Sequence, residues 1–294
     1  MTKKFLLGVG AQKAGTSWLW YYFTHYRKDY AIAEFKDRWI KEWQIWNPLT
    51  IPTEKLFWDK CVEDAKQVLE SGDLERNSHI QRLSFLNNPS TYFSYNASLF
   101  TPDKPLAGDF TPAHSGLSVE TLQMIKDEFE LYNVEVIPIL IMREPARRLI
   151  SMAKMHFDRT DGTPTKEEEI DLLRHLARGD HDNVRCCYDK IWKNLNTVFG
   201  DKFFHSFYET LFQESEIRRL CDMLDVEYVE PNYEYIVNKG RKYNKFSSDE
   251  IGLFKDYYID QYRFAYETFG KQFIDSIWNK EELNGPETID VRSK

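Results

Sequence analysis

Residues 5–23 read FLLGVGAQKAGTSWLWYYF, and the change of character along this stretch decides the fold. Phe5 to Val9 is a short apolar run, suited to a buried strand. Gly10 to Gly15 is a loop holding two glycines and one lysine, Lys13. From Thr16 to about Tyr26 a helix is predicted, with Trp18, Leu19, Tyr22 and Phe23 on one buried face. A strand, a glycine loop and a helix in that order gather free backbone N–H groups and the positive end of a helix dipole at one point, which is an anion site. Gly15 allows close backbone approach, Thr16 and Ser17 offer hydroxyl donors, and Lys13 adds a full charge. An ATP-type loop carries its lysine immediately before the hydroxyl residue, as in GxxxxGK[ST]. Here Thr16 directly follows Gly15, and the lysine stands two residues before that glycine. The metal-binding Lys-Ser/Thr pair is missing, which disfavours a magnesium-dependent kinase or ATPase. A plain turn between two core elements is the other reading of the loop taken alone.

Outward from this stretch, residues 134–142, VEVIPILIM, form a continuous apolar run of the kind found in a central parallel strand buried on both faces. Pro138 inside it predicts that ladder pairing starts late. Pro145 fits the first turn of a following helix. Helical patterns also cover 53–72, with Thr53 as a cap and Gly72 at the end, and 118–133, with Ser118 and Thr121 as cap candidates. Further helices are predicted over 163–179, ending at Gly179, over 186–200, over 215–224, and as one capped helix over 247–270. Residues 202–209 read as a strand, 88–105 as an aromatic loop and 238–246 as a basic loop. Trp39, Trp43 and Trp46 are spaced as one helical stripe, for core packing or as an aromatic platform for a sugar or apolar acceptor. The alternation of strands and helices predicts a three-layer α/β/α fold, P-loop-like and doubly wound, with a mostly parallel central sheet in a single domain over 1–294.

Composition sets outer bounds. A hydrophobic fraction of 42% with 15% aromatics supports a sizeable core in a 294-residue chain. The net charge of −8 argues against a general nucleic-acid binder, although it leaves room for a local basic pocket. Cys61, Cys186, Cys187 and Cys221 form no CxxC pair and no zinc-type spacing, so buried thiols are expected and no metal site. The opening MTKKFLLGVGAQ has the lysine-then-apolar order of a leader, but its apolar stretch runs straight into the glycine loop and reads as the first strand. No run of about 18 apolar residues suggests a membrane span. A cytoplasmic protein is the expectation; oligomeric state has no signature in the chain.

Arg143 stands at the end of the apolar run and is followed by Pro145, Arg148 and Ser151. Ligands of open α/β sheets bind at the carboxyl ends of strands, so Arg143 and Ser151 are placed to grip a second phosphate by charge-assisted hydrogen bonds. Together, QKAGTSWL and REPARRLIS resemble the two nucleotide-binding signatures of sulfotransferases that use 3′-phosphoadenosine 5′-phosphosulfate. The first signature, (K)xGT(T/S)xL, falls on Lys13, Gly15, Thr16, Ser17 and Leu19, and the second, RxPxxRxxS, on Arg143, Pro145, Arg148 and Ser151. The resemblance covers most of the chain and is closest to the heparan-sulfate type of sulfotransferase domain and its soluble microbial relatives.

That resemblance implies several roles. Lys13, Ala14, Gly15, Thr16, Ser17 and Trp18 would hold the 5′-phosphosulfate side of the donor, with Lys13 also catalytic. Arg143 and Ser151 would hold the 3′-phosphate, and Lys239, Gly240 and Arg241 would form the loop that closes over the nucleotide. The products would be a sulfated acceptor and adenosine 3′,5′-bisphosphate, with no metal required. The branch has a Lys-Glu pair after its first helix, with the glutamate as base; the matching position is Glu34, preceded by Ala33 in place of the lysine. Its KTPAY segment resembles residues 109–114, DFTPAH, with Phe110 in the lysine slot and His114 as a rival base. His25 and His156 are further rivals, His25 having a structural alternative on the first helix. Loss of those lysines, with the negative net charge, argues against a heparan-like acceptor and leaves a small molecule, glycan or glycolipid. The alternatives are a non-catalytic module binding the donor or its desulfated product, and an atypical P-loop phosphotransferase.

Overall fold

The computed structural model describes residues 2–36, 38–72, 77–158, 164–182, 184–235, 237 and 246–279. Along the chain these form β1 (Lys3–Gly8), α1 (Thr16–His25), α2 (Trp46–Thr50), α3 (Leu56–Ser71), α4 (Asn77–Asn87), α5 (Ser90–Ser98) and β2 (Leu106–Asp109). Then follow α6 (Val119–Glu130), β3 (Val134–Met142), α7 (Pro145–Phe157), α8 (Lys166–Asp182), α9 (Tyr188–Phe199) and β4 (Phe204–Phe207). The last elements are α10 (Tyr208–Leu211), α11 (Glu214–Leu224), α12 (Ser248–Lys255), α13 (Ile259–Phe269) and α14 (Lys271–Trp278). The sheet order is β2-β1-β3-β4, all parallel, with helices on its faces, as the strand–helix alternation predicts. β1 runs beside β2 with Leu7 opposite Asp109, and beside β3 with Gly8 opposite Ile139. No helix among the described residues is long and apolar enough to cross a membrane.

Pro138 does not delay pairing: β3 is in register with β1 from Val134 onward. The carbonyls of Ile139 and Ile141 accept from Val9 and Ala11, so these alternate residues face the β1 side. Pro138 therefore turns its missing N–H to the other edge, and no bond of the β1 ladder is lost.

The chain divides into two compact units, Met1–Gly10, Leu19–Leu140 and Ile191–Phe204 in the first, Ala11–Trp18, Ile141–Lys190 and His205–Lys294 in the second. The first is centred on aromatics. Phe5 stacks on Phe129 at 4.3 Å between centroids, Trp46 lies tilted against Phe93 at 5.2 Å, and Trp43 meets the edge of Phe85 at 4.8 Å. The tryptophan spacing does not make a helix: only Trp46 opens one, α2. The Trp43 N–H goes to the buried Asp109 carboxylate at 3.2 Å and the Gln44 N–H to the Thr111 hydroxyl at 3.2 Å, so donors a helix would use internally are taken by tertiary acceptors. The stretch read as an aromatic loop contains α5, whose Tyr92, Phe93 and Asn96 are buried. Burial of that face overrides a Ser/Thr/Asn-rich composition that disfavours helix. Thr53 lies in a short 3₁₀ turn, Pro52–Glu54, ahead of α3, which ends at the left-handed Gly72 as expected.

The second unit packs α7 against α8 and α12, and α13 against α14. Gly179 lies inside α8, not after it. The predicted final helix is broken: Ser247 caps α12 in a reciprocal capping box with Glu250, and a 3₁₀ turn, Asp256–Tyr258, separates it from α13. Tyr262 and Phe207 both set their rings edge-on to Trp278, at 5.6 and 5.9 Å.

Candidate functional site

Ala11 donates its N–H to the carbonyl of Ile141 at 2.7 Å, which fixes the start of the glycine loop at the carboxyl end of β3. The loop then passes through two left-handed residues, Lys13 at φ 68° and Gly15 at φ 89°. A lysine in that region is strained, and strain held at a loop between strand and helix marks a constrained site. A Cβ built on Gly15 would lie 3.0 Å from Leu211 and 3.3 Å from Tyr208, so the loop rests directly on α10. Ala14 and Thr16 are buried, while Lys13 and Ser17 are half-buried at the start of α1. Trp18 is buried, edge-on to Phe212 at 5.0 Å and stacked near Tyr233 at 6.1 Å.

Arg143 completes this arrangement from the end of β3. Its Nη1 donates to the carbonyl of Lys13 at 2.9 Å, and its guanidinium lies over the Tyr208 ring, 4.0 Å from the centroid. Its Nε is buried and has no hydrogen-bond partner. The buried Tyr188 hydroxyl donates to the Arg143 carbonyl at 2.8 Å and accepts its N–H at 3.2 Å, which fixes the backbone there. Glu144 caps α7, accepting the Arg147 N–H at 2.6 Å and the Tyr262 hydroxyl. Its own N–H goes to Glu209 Oε1 at 3.0 Å. Burial pushes the Glu209 carboxyl up from its ordinary value, against the backbone N–H bonds it accepts and the Arg143 charge, with the Glu144 carboxylate adding to the rise. Arg148 is fully buried on α7, and Ser151 is half-buried one turn along. The structure thus brings Lys13, Gly15 and Arg143 together around Tyr208. Lys239, Gly240 and Arg241 lie outside the described residues.

Of the base candidates, His156 is exposed in the last turn of α7, and Glu34, His114 and His25 belong to the first unit. Glu34 and Trp39 form a bridge in a small turn, and the exposed Glu34 carboxylate accepts the Trp39 indole N–H at 3.0 Å. His114 is 1% exposed, with Nε2 4.0 Å from the Asp109 carboxylate. Burial lowers its pKa and Asp109 only partly opposes this, so the ring is an interior neutral group. Asp109 itself is spent on structure, accepting from Thr111 at 2.6 Å and Tyr92 at 3.0 Å. His25 stacks on Tyr21 at 3.8 Å and shares a 2.8 Å hydrogen bond with Thr24.

One pair was missed in the sequence. Lys41 and Glu42 form a 2.6 Å ion pair, and the Lys41 ammonium also donates to the Phe110 carbonyl at 3.3 Å. Gln44 donates to the other Glu42 oxygen at 2.8 Å. A lysine thus reaches position 110, where the resemblance places one and the sequence has phenylalanine. The adjacent Lys-Glu letters were the available signal, hidden by the helical reading of the tryptophans around them. Tyr208 and Glu209 were also missed, the signal being a Phe-Tyr-Glu run at the carboxyl end of β4.

In fold, the chain is similar to a solved sulfotransferase from Alicyclobacillus acidocaldarius, with a TM-score of 0.54 and 13% sequence identity over 96% of this chain and 98% of that one. No family model matches the chain, and no curated protein matches it.

Proposed function

We propose that this chain is a sulfotransferase that moves a sulfuryl group from 3′-phosphoadenosine 5′-phosphosulfate to a hydroxyl or amine of a small-molecule or carbohydrate acceptor. The observation that carries the reading is the hydrogen bond from Arg143 Nη1 to the Lys13 carbonyl, which joins two phosphate-binding motifs 130 residues apart. The residues suit such a donor. Strained Lys13 and the first N–H groups of α1 offer one anion site, and the buried, unpartnered Arg143 Nε offers a donor for a second. The fold likeness to a sulfotransferase supports the same reading.

When bound, the donor supplies the sulfuryl group and a phosphate leaving group that gains negative charge. Lys13 and the loop N–H groups are the chain's means of stabilising that charge. Arg143, with Ser151 on α7, holds the 3′-phosphate. The acceptor proton falls to a carboxylate, and Glu42 suits this better than Glu34. Glu42 is the acidic member of a real Lys-Glu pair at the Phe110 carbonyl, whereas Glu34 is engaged by Trp39.

The test is transfer of labelled sulfate from the donor to a panel of alcohols, phenols, glycans, glycolipids and amines. Lys13→Ala is expected to cut turnover by about 10²-fold or more, as for loss of one oxyanion donor. Donor binding without transfer to any acceptor would favour the non-catalytic alternative, and near-normal turnover in the variant would remove Lys13 from the chemistry.

A further inference from the structure

Glu209 is a half-buried residue with a carboxyl that the reaction as described does not use. Its Oε1 accepts the Glu144 N–H at 3.0 Å, while its Oε2 is buried and has no hydrogen-bond partner. It follows Tyr208, the ring under Arg143, in the same short helix. One side of the carboxyl is therefore tied to the turn that aims Arg143, and the other side is unsatisfied. A buried oxygen in that condition calls for a specific explanation.

We infer that Glu209 is a positioning residue for the Arg143 anion site and that it carries a proton whenever an anion is bound there. This rests on the donor reading of that site only for the identity of the natural anion. The charged groups facing Glu209 are Arg143 and Glu144, both from the turn between β3 and α7. The glycine loop, with Lys13, also rests on α10, and α11 and α14 pack on it with charges that pair among themselves, as Arg218 does with Glu214. Glu216 takes Ser206 and Arg219, and Lys271 pairs with Asp275. A phosphate or sulfate at Arg143 adds negative charge beside a carboxyl already disfavoured as an anion by burial and by Glu144. Binding then takes up a proton from water wherever Glu209 is ionised in the free protein. By reciprocity, a rise in pH weakens binding, by up to about tenfold per pH unit for one proton.

Sulfate is the first probe because its charge is constant from pH 5 to 9, and adenosine 3′,5′-bisphosphate is the second. Calorimetry of each in two buffers of different ionisation enthalpy reads the protons taken up. The wild-type chain is expected to take up a proton above the Glu209 pKa. Glu209→Gln keeps an acceptor for the Glu144 N–H but cannot titrate, so with sulfate its uptake should vanish and its affinity should flatten with pH, while with the bisphosphate only the ligand's own phosphate titration, near pH about 6, should remain. Glu209→Ala, which removes that acceptor, should weaken binding at every pH, a loss that a charge effect alone would not give. Equal uptake and equal pH slopes in wild type and Glu209→Gln overturn the inference. Carbon-detected titration of Glu209 in the free and sulfate-saturated protein tests it again without nucleotide: a pKa that does not rise with sulfate also overturns it. Sulfate-linked uptake with no affinity for the bisphosphate would uphold this inference while refuting the donor reading.

Discussion

Replacing Arg143 by lysine keeps the charge and removes the geometry. The guanidinium makes two contacts at once, a hydrogen bond to the Lys13 carbonyl at 2.9 Å and a cation–π contact at 4.0 Å from the Tyr208 centroid. A flexible ammonium cannot hold both in the same plane. A hydrogen bond from a charged donor contributes about 1.5–3 kcal/mol. A half-exposed cation–π contact adds about 0.5–1 kcal/mol. Lysine recovers part of each, so a net loss of about 2 kcal/mol is reasonable. This loss falls on a loop that already carries strain at Lys13, so the anion site it forms is weakened with it. Converted at about 1.4 kcal/mol per tenfold, the dissociation constant for adenosine 3′,5′-bisphosphate should rise roughly 30-fold. Titration calorimetry at fixed ionic strength measures it, with Arg174→Lys as control, since Arg174 is an exposed partner of Asp171 on α8. Binding by Arg143→Lys within about threefold of wild type would refute the claim that this guanidinium organises the loop.

Gly15→Ala forces a side chain into a left-handed backbone, at a cost of about 1–2 kcal/mol, and presses on Leu211 and Tyr208. The urea midpoint should drop and bisphosphate affinity should fall with it; an unchanged midpoint would remove the strain argument. Glu42→Gln is expected to abolish transfer while leaving bisphosphate binding intact, and Glu34→Gln to retain most activity; the opposite pattern restores the base to Glu34. Burial, with Arg219 nearby, depresses the His205 pKa to about 4. The unfolded state then binds a proton that the native state refuses, so stability is full above about pH 6.5 and is lost as pH falls toward about 4. Urea unfolding across that range should show a shallower acid loss for His205→Gln than for wild type, and identical slopes would contradict the assignment.

What the sequence disclosed follows from how local its physics is. The glycine loop, the run at 134–142 and Pro145 are short-range signals, and each became the predicted element with Lys13 and Arg143 in contact. The tryptophan stripe failed because Asp109 and Thr111, far along the chain, claim the backbone donors of Trp43 and Gln44. The same misreading concealed Lys41 and Glu42, whose geometry depends on the Phe110 carbonyl. His114 looked available because sequence carries no record of depth, and the structure leaves it 1% exposed. Glu209 had only the Phe-Tyr-Glu run at the end of β4 as a signal, because the hydrogen bond it accepts from Glu144 comes from a different segment.

The central claim is that the loop from Gly10 to Gly15, with Arg143, is built for a 3′-phosphorylated adenosine donor rather than for ATP with a metal. Thermal stabilisation by adenosine 3′,5′-bisphosphate, compared with ATP and Mg²⁺ at equal concentration, tests this most directly. The expected result is a concentration-dependent rise in melting temperature with the bisphosphate alone, lost in Arg143→Ala. Stabilisation by ATP and Mg²⁺ with none from the bisphosphate would contradict it.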